Sequence, residues 1–202
     1  MTETHRVHLL PKSHPDPTTW AHIVSAQKTF RLHALKTSPE SFSSSYAREA
    51  AFTDSEWEAR LQNPLALTLV AVKSPPTEAS TTEEDNDSAQ TCIKGEWEGT
   101  AVLVGPLPPK SDRDTTVFEI FGLFVLPSAR GHGIGARLIE TAISEAVARA
   151  GEGGGARRVV VRVRAAAGNA KVVGLYERSG FGIVEGREAE DGEILMELRR
   201  RV

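Results

Sequence analysis

Two patterns in this chain carry chemistry. The first is Arg130-Gly131-His132-Gly133-Ile134-Gly135, three glycines in five positions, set between an apolar run and an amphipathic segment. Glycine lets the main chain approach an anion closely, and a helix N-terminus offers unpaired N–H groups at a positive dipole end. Such a strand-to-helix turn is a backbone cradle for phosphate. Its plain alternative is a tight turn with no ligand. The second pattern is Glu119, inside Val117-Phe118-Glu119-Ile120-Phe121. A carboxylate in an apolar strand is costly unless it is paired or functional. It suits a general base that takes a proton from an ammonium, directly or through water. The alternative is a strand residue that faces solvent or is salt-bridged to an arginine.

Three glycine-turn chemistries compete for the cradle. A P-loop needs Lys and then Ser or Thr after its last glycine, to reach phosphates and Mg²⁺; here Ala136-Arg137 follows Gly135. A dinucleotide fold places Gly-x-Gly-x-x-Gly near the chain start and an acidic residue at the end of the next strand. The glycines here are spaced Gly131-x-Gly133-x-Gly135, and the next strand ends Arg164-Ala165-Ala166-Ala167. The third option needs Arg or Gln, two residues, Gly, any residue, then Gly or Ala. Arg130 to Gly135 satisfies it.

The elements that must position these residues follow from periodicity and punctuation. Arg6–Leu10 predicts a short strand. After the Pro11–Pro17 connector, Thr18 or Thr19 is placed to cap a helix over Trp20–Lys36. Its apolar stripe is Trp20, Ile23, Val24, Gln27, Phe30, Ala34 and Leu35. Thr53-Asp54-Ser55-Glu56 is a capping box for a second helix over Thr53–Leu61. Leu65–Lys73 reads as a strand. Ser74–Lys94 is Pro, Ser, Thr, Glu and Asp with almost nothing to bury, and is expected to be a disordered insertion. Glu98–Leu103 is the antiparallel partner of the strand before the insertion. A polar loop over 106–115 leads into Val117–Leu126, a central strand covered on both faces. Ile134–Ala150 is an amphipathic helix and Arg158–Arg164 a valine-rich strand. Asn169–Ser179 is a short helix ended by Gly180. Phe181–Arg187 and Ile194–Leu198 form a closing hairpin around Glu190-Asp191-Gly192.

With that order, the chain resembles the GNAT superfamily of acetyl-CoA-dependent N-acetyltransferases, from about Arg6 to Leu198. Three pieces carry the resemblance: Leu123-Phe124-Val125 ahead of the Arg130–Gly135 turn; Asn169 followed by Leu175-Tyr176-Glu177 and Gly180-Phe181; and Ser38-Pro39-Glu40-Ser41-Phe42 with Tyr46 and Glu49. The fold it implies is α/β, a single domain over 1–202. Its central sheet is twisted, mixed and mostly antiparallel, and two central strands splay to admit acetyl-CoA.

The resemblance also implies roles. Backbone groups of Leu123, Phe124 and Val125 would pair with the pantetheine amides. N–H groups of Arg130, Gly131, His132, Gly133, Ile134, Gly135 and Ala136 would hold the pyrophosphate. Asn169 would bind the pantetheine arm; its other role is to cap the helix it opens. Tyr176 would be the general acid for the CoA thiolate, since a phenol with reference pKa ~10 stays protonated at neutral pH; its other role is a core tyrosine beside Leu175 and Phe181. Glu119 lies six positions before Val125, where histone-type members carry their base. Phe42, Tyr46 and Glu49 would face the acceptor. Members that acetylate ribosomal protein N-termini carry a glutamate in the strand before the Asn helix. Here that strand holds Arg162 and Arg164, which speaks against an N-terminal alanine acceptor.

The expected reaction is direct acetyl transfer to a primary amine in a ternary complex, with acetyl-CoA as cosubstrate. The rival is a CoA-binding regulatory or scaffold module without catalysis. The chain has 202 residues, 40% hydrophobic and 25% charged, with net charge −3. That is ordinary for a globular protein and gives no reason to expect a nucleic-acid partner. No apolar run reaches the ~18 residues of a membrane span. One cysteine, Cys92, excludes an internal disulfide and fits a cytoplasmic or nuclear location. The histidines show no metal spacing. A monomer or a homodimer is expected.

Overall fold

The capping box is the first element that local chemistry explains completely. The Thr53 side chain accepts from the Glu56 N–H and the Glu56 carboxylate accepts from the Thr53 N–H, at 3.3 and 2.7 Å. They open a helix over Asp54–Gln62. In the computed structural model this is the third helix of seven strands and six helices among the described residues, 4–74, 88–107, 114–152, 157–166, 168–188 and 192–202. The elements are β1 (Thr4–Leu9), α1 (Pro17–Thr37), α2 (Tyr46–Ala50), α3 (Asp54–Gln62), β2 (Ala66–Ser74) and α4 (Ser88–Lys94). They continue with β3 (Glu96–Leu107), β4 (Thr115–Val125), α5 (Ile134–Glu152), β5 (Arg158–Ala166), α6 (Ala170–Arg178), β6 (Gly182–Glu188) and β7 (Glu193–Arg201). Short 3-10 turns cover Pro39–Ser41 and Pro127–Ala129.

The strands form one mixed sheet in the order β1-β2-β3-β4-β5-β7-β6. β4 and β5 pair in parallel, while β1–β2, β5–β7 and β6–β7 are antiparallel. The β4–β5 ladder runs from Thr115↔Arg158 to Ile120↔Val163 and stops there. Both strands continue, β4 to Val125 and β5 to Ala166, and β5 keeps its pairing with β7 as far as Ala166↔Glu193. This is the open sheet expected from the sequence. Its local cause is Gly122, whose φ of 59° breaks the extended backbone of β4 just past the last pair. That φ is cheap only for glycine.

Backbone packing divides the chain into two compact units, Met1–Thr100 with Phe124–Ile134, and Ala101–Leu123 with Gly135–Val202. In the first, α1 lays Trp20, Ile23, Val24 and Phe30 against Val70, Val72 and Trp97. Ile23, Val70 and Val72 are fully buried, and each such side chain contributes about 1.5–3 kcal/mol. In the second, Leu138, Ile139, Ala142 and Ala146 of α5 are buried, as are Phe118, Val161, Val163, Met196 and Leu198 of the strands.

Two expectations need correction. Asp16, not Thr18 or Thr19, caps α1, accepting from the Thr19 N–H at 2.8 Å, because Pro17 already holds the first helical position. Second, the expected disordered insertion does not reach Lys94. Ser74 ends β2, and Ser88–Lys94 forms α4. Ala89 and Cys92 are buried and Ile93 packs on the same core. The Trp97 indole N–H also donates to the Cys92 carbonyl at 2.7 Å, which ties α4 to β3. Residues 75–87, most of the 106–115 loop (108–113) and the hairpin residues 189–191 lie outside the described residues.

Candidate active site

The glycine turn is built by alternation. Arg130 is extended, with φ −68° and ψ 154°, and Gly131 and Gly133 take φ of 86° and 76° on either side of His132. Alternating hand turns successive N–H groups into one concavity, a nest that binds anions. A Cβ built at Gly131 or Gly133 would meet nothing within 4 Å, so the turn stands in open space on that side. α5 starts at Ile134, directly after it. A glycine turn at a helix start is an arrangement suited to an anion.

Side chains brace the turn. Arg130 Nε donates to the Val125 carbonyl at 3.1 Å, and its Nη2 donates to Ser38 Oγ at 3.4 Å. The guanidinium thus ties the turn to the end of β4 and to the Ser38 segment. His132 Nδ1 donates to the Ala129 carbonyl at 3.2 Å, and its ring lies 6.3 Å from that of His5. His5 is buried and donates from Nε2 to the Glu98 carboxylate, with Lys73 Nζ 3.9 Å from the other oxygen. The sequence reading missed this pair. Nothing in β1 alone points to a partner 93 residues away.

Phe124 is buried against Phe30 and Phe42, each ring 6.0 Å away. The Leu126 N–H is taken by the Glu98 carbonyl at 2.8 Å, which fixes the chain end of β4 on its β3 side. Of the three residues expected to pair with pantetheine, Val125 already shares its carbonyl with Arg130.

Asn169 is the N-cap of α6, its Oδ1 accepting from the Val172 N–H at 3.2 Å. That leaves its amide nitrogen for a ligand. Tyr176 is held at the other end of α6. The Phe181 N–H bonds the Tyr176 carbonyl at 3.0 Å and the Gly180 N–H bonds Glu177 at 2.9 Å, with Gly180 at φ 90°. This is a Schellman cap. The Tyr176 ring stacks obliquely on Phe181 at 5.7 Å. Burial alone pushes its phenol up to about 12. It is a neutral donor at any physiological pH.

Glu119 is buried, as the sequence suggests, and it is paired. Arg164 Nε donates to its Oε1 at 2.9 Å, and Glu193 lies 4.0 Å from the same guanidinium. Arg162, directly opposite Glu119 in the ladder, is committed to Glu197 at 2.9 Å. Burial acts to raise Glu197, but Arg162 and Arg199 outweigh it and hold it below the usual carboxylate range.

The acceptor-side trio is split. Phe42 carries the Arg31 guanidinium 4.4 Å above its ring, and Tyr46 carries Lys36 Nζ at 4.2 Å. Glu49 is 2% exposed and takes bonds from Arg31 (3.0 and 2.7 Å) and Arg60 (2.8 Å). Burial acts to raise its carboxyl. Hydrogen bonds from Arg31 and Ser44, with the Arg31 and Arg60 charges, override that and hold it at about 2. The carboxylate therefore joins α1, α2 and α3 through Arg31 and Arg60. Among the described residues no group of three or more His, Cys, Asp or Glu is placed to hold a metal ion, and no helix is long and apolar enough to cross a membrane.

Comparison with known proteins agrees with this geometry. Residues 50–181, more than half of the chain, match the model of the acetyltransferase (GNAT) family. No curated protein matches the sequence. Solved structures with the same fold include the GNAT domain of S. lividans PAT. It is 18% identical with TM-score 0.57, over 99% of this chain and 95% of that one. The acetyltransferase of GNAT family from Streptococcus pneumoniae is 20% identical with TM-score 0.56, over 98% and 100%. Arabidopsis thaliana NAA60 in complex with acetyl-CoA is 16% identical with TM-score 0.54, over 97% and 98%. At these identities the likeness is one of fold.

Proposed function

The chain belongs to the GNAT family of acetyltransferases, and from that premise we propose that it moves an acetyl group from acetyl-CoA to a primary amine by direct transfer. The observation that carries the reading is the nest at Gly131 and Gly133, open where a side chain would stand and continuous with a strand that leaves its partner. In this reading all of 1–202 is one catalytic domain, cytoplasmic or nuclear. A related protein of the same fold holds acetyl-CoA.

Acetyl-CoA supplies an activated thioester acetyl. N–H groups from Arg130 to Ala136 hold its pyrophosphate, and backbone groups of Leu123, Phe124 and Val125 take the pantetheine amides on the side that β5 leaves. The Asn169 amide nitrogen adds a donor to that arm. Phe42 and Tyr46 serve the acceptor side. Glu119 takes a proton from the acceptor ammonium through its second carboxylate oxygen, directly or through water. The amine nitrogen then bonds to the acetyl carbon as the carbon–sulfur bond breaks; the Tyr176 hydroxyl delivers its proton to the sulfur, and the extra proton shed by the new amide nitrogen restores the phenol. Holding both reactants in one orientation supplies much of the rate. The bond from Arg164 to Glu119 suits the rival, a CoA-binding module without catalysis.

The test has two arms. Excess acetyl-CoA should raise the unfolding free energy by ~2–4 kcal/mol while NAD and ATP leave it unchanged, and a panel of amines should be acetylated. Stabilisation by NAD or ATP but not by CoA overturns the reading. CoA binding with no amine acetylated selects the rival.

A further inference from the structure

The point where β4 and β5 part carries more than a base. Glu119 and Arg162 are opposite one another in the ladder, and the last pair is Ile120↔Val163. The next position would set Phe121 beside Arg164, and there the ladder has ended. Phe121 alternates with Glu119 along the strand and so shares its face. It is 45% exposed, one of few large apolar residues that are so among the described residues. The Arg164 side chain is also 45% exposed, against 20% for Arg162. Arg162 is consumed by Glu197. Arg164 spends Nε on Glu119 and sits at a long 4.0 Å from Glu193, so the outer edge of its guanidinium faces solvent. A guanidinium edge is a fork for a carboxylate or similar planar anion. A carboxylate, an exposed phenyl ring and an exposed cation thus share one face of the sheet, where the two strands part.

We propose that this trio selects the acceptor: an amine that also carries a carboxylate and an apolar body. Arg164 receives the acceptor carboxylate, Phe121 lies along its apolar part, and Glu119 faces its ammonium. The inference rests on the amine-acetylating reading above and names the substrate class of that site. Free amino acids and peptides with an acidic group share this chemistry. An acceptor with no anion leaves the guanidinium edge unused. This also accounts for an arginine in a strand where a purely cationic acceptor would be repelled.

The experiment compares matched pairs in wild type and Arg164→Gln: phenylalanine against its amide, and an aspartate-containing tripeptide against the asparagine version. Acetylation is read as kcat/KM, and binding of each unacetylated compound is measured by chemical-shift titration without acetyl-CoA. In wild type the carboxylate member of at least one pair is favoured at least tenfold, as one charge-assisted contact predicts. In Arg164→Gln that ratio falls towards one. Which pair shows it separates the free amino acid from the peptide. Phe121→Ala weakens both members of the pair alike. Equal binding of acid and amide in wild type overturns the inference, as does a preference that Arg164→Gln keeps. The binding arm decides even where no acetyl transfer is seen, an outcome that strikes the catalytic reading instead.

Discussion

Glu49→Gln separates a structural carboxylate from a ligand-facing one. The substitution keeps volume and removes charge from a group that takes three bonds from Arg31 and Arg60 at 2% exposure. The carboxyl moves from 4.5 to about 2 on folding. At 1.36 kcal/mol per unit that is about 3 kcal/mol of stability, in line with the 3–5 kcal/mol typical for breaking a buried pair. The sign follows from the lowered value. Below it both states are protonated and the stabilisation is gone; above 4.5 it is present in full. Urea unfolding of wild type and variant should differ by about 3 kcal/mol at pH 7, and the gap should close between pH 4.5 and pH 2. The affinity for acetyl-CoA and KM for an accepted amine should be unchanged while the variant is folded. A gap under 1 kcal/mol at pH 7, or one that pH does not alter, would refute the ion-pair account. A tenfold rise in amine KM without loss of stability would return Glu49 to the acceptor side.

Gly133→Asp should abolish acetyl-CoA binding by calorimetry in a folded protein, since it sets a carboxylate where pyrophosphate belongs; the left-handed φ costs about 1–2 kcal/mol. Tyr176→Phe should lower kcat ~10²-fold with little change in CoA affinity. Wild type should show no falling limb from this group until pH nears 12, because burial keeps the phenol neutral past its usual range. Glu119→Gln should lose activity most at low pH, where the acceptor is charged, and least at high pH. Ala89→Asp should cost at least about 2 kcal/mol in urea unfolding, because α4 belongs to the core; an unchanged midpoint would mean the helix does not pack.

What the chain determines by itself is local. The Thr53–Glu56 capping box, the Asn169 cap, the Gly180 stop and the Gly131/Gly133 turn each close within a few residues, so their geometry is written in neighbouring letters. The GNAT fold was legible for the same reason: strand, cradle and Asn helix are local pieces in a fixed order. The rest depends on which residues meet across the sheet and between helices. His5 finds Glu98, Glu49 finds Arg31 and Arg60, and Glu119 finds Arg164 only after strands register and helices pack. A buried charge in the sequence signals that a partner must exist, because desolvation is too costly otherwise. It does not say which one. The single glycine in β4 could have been noticed as a break in an apolar strand. That the break falls just past the last β4–β5 pair, and leaves Phe121 and Arg164 exposed, is decided by register alone.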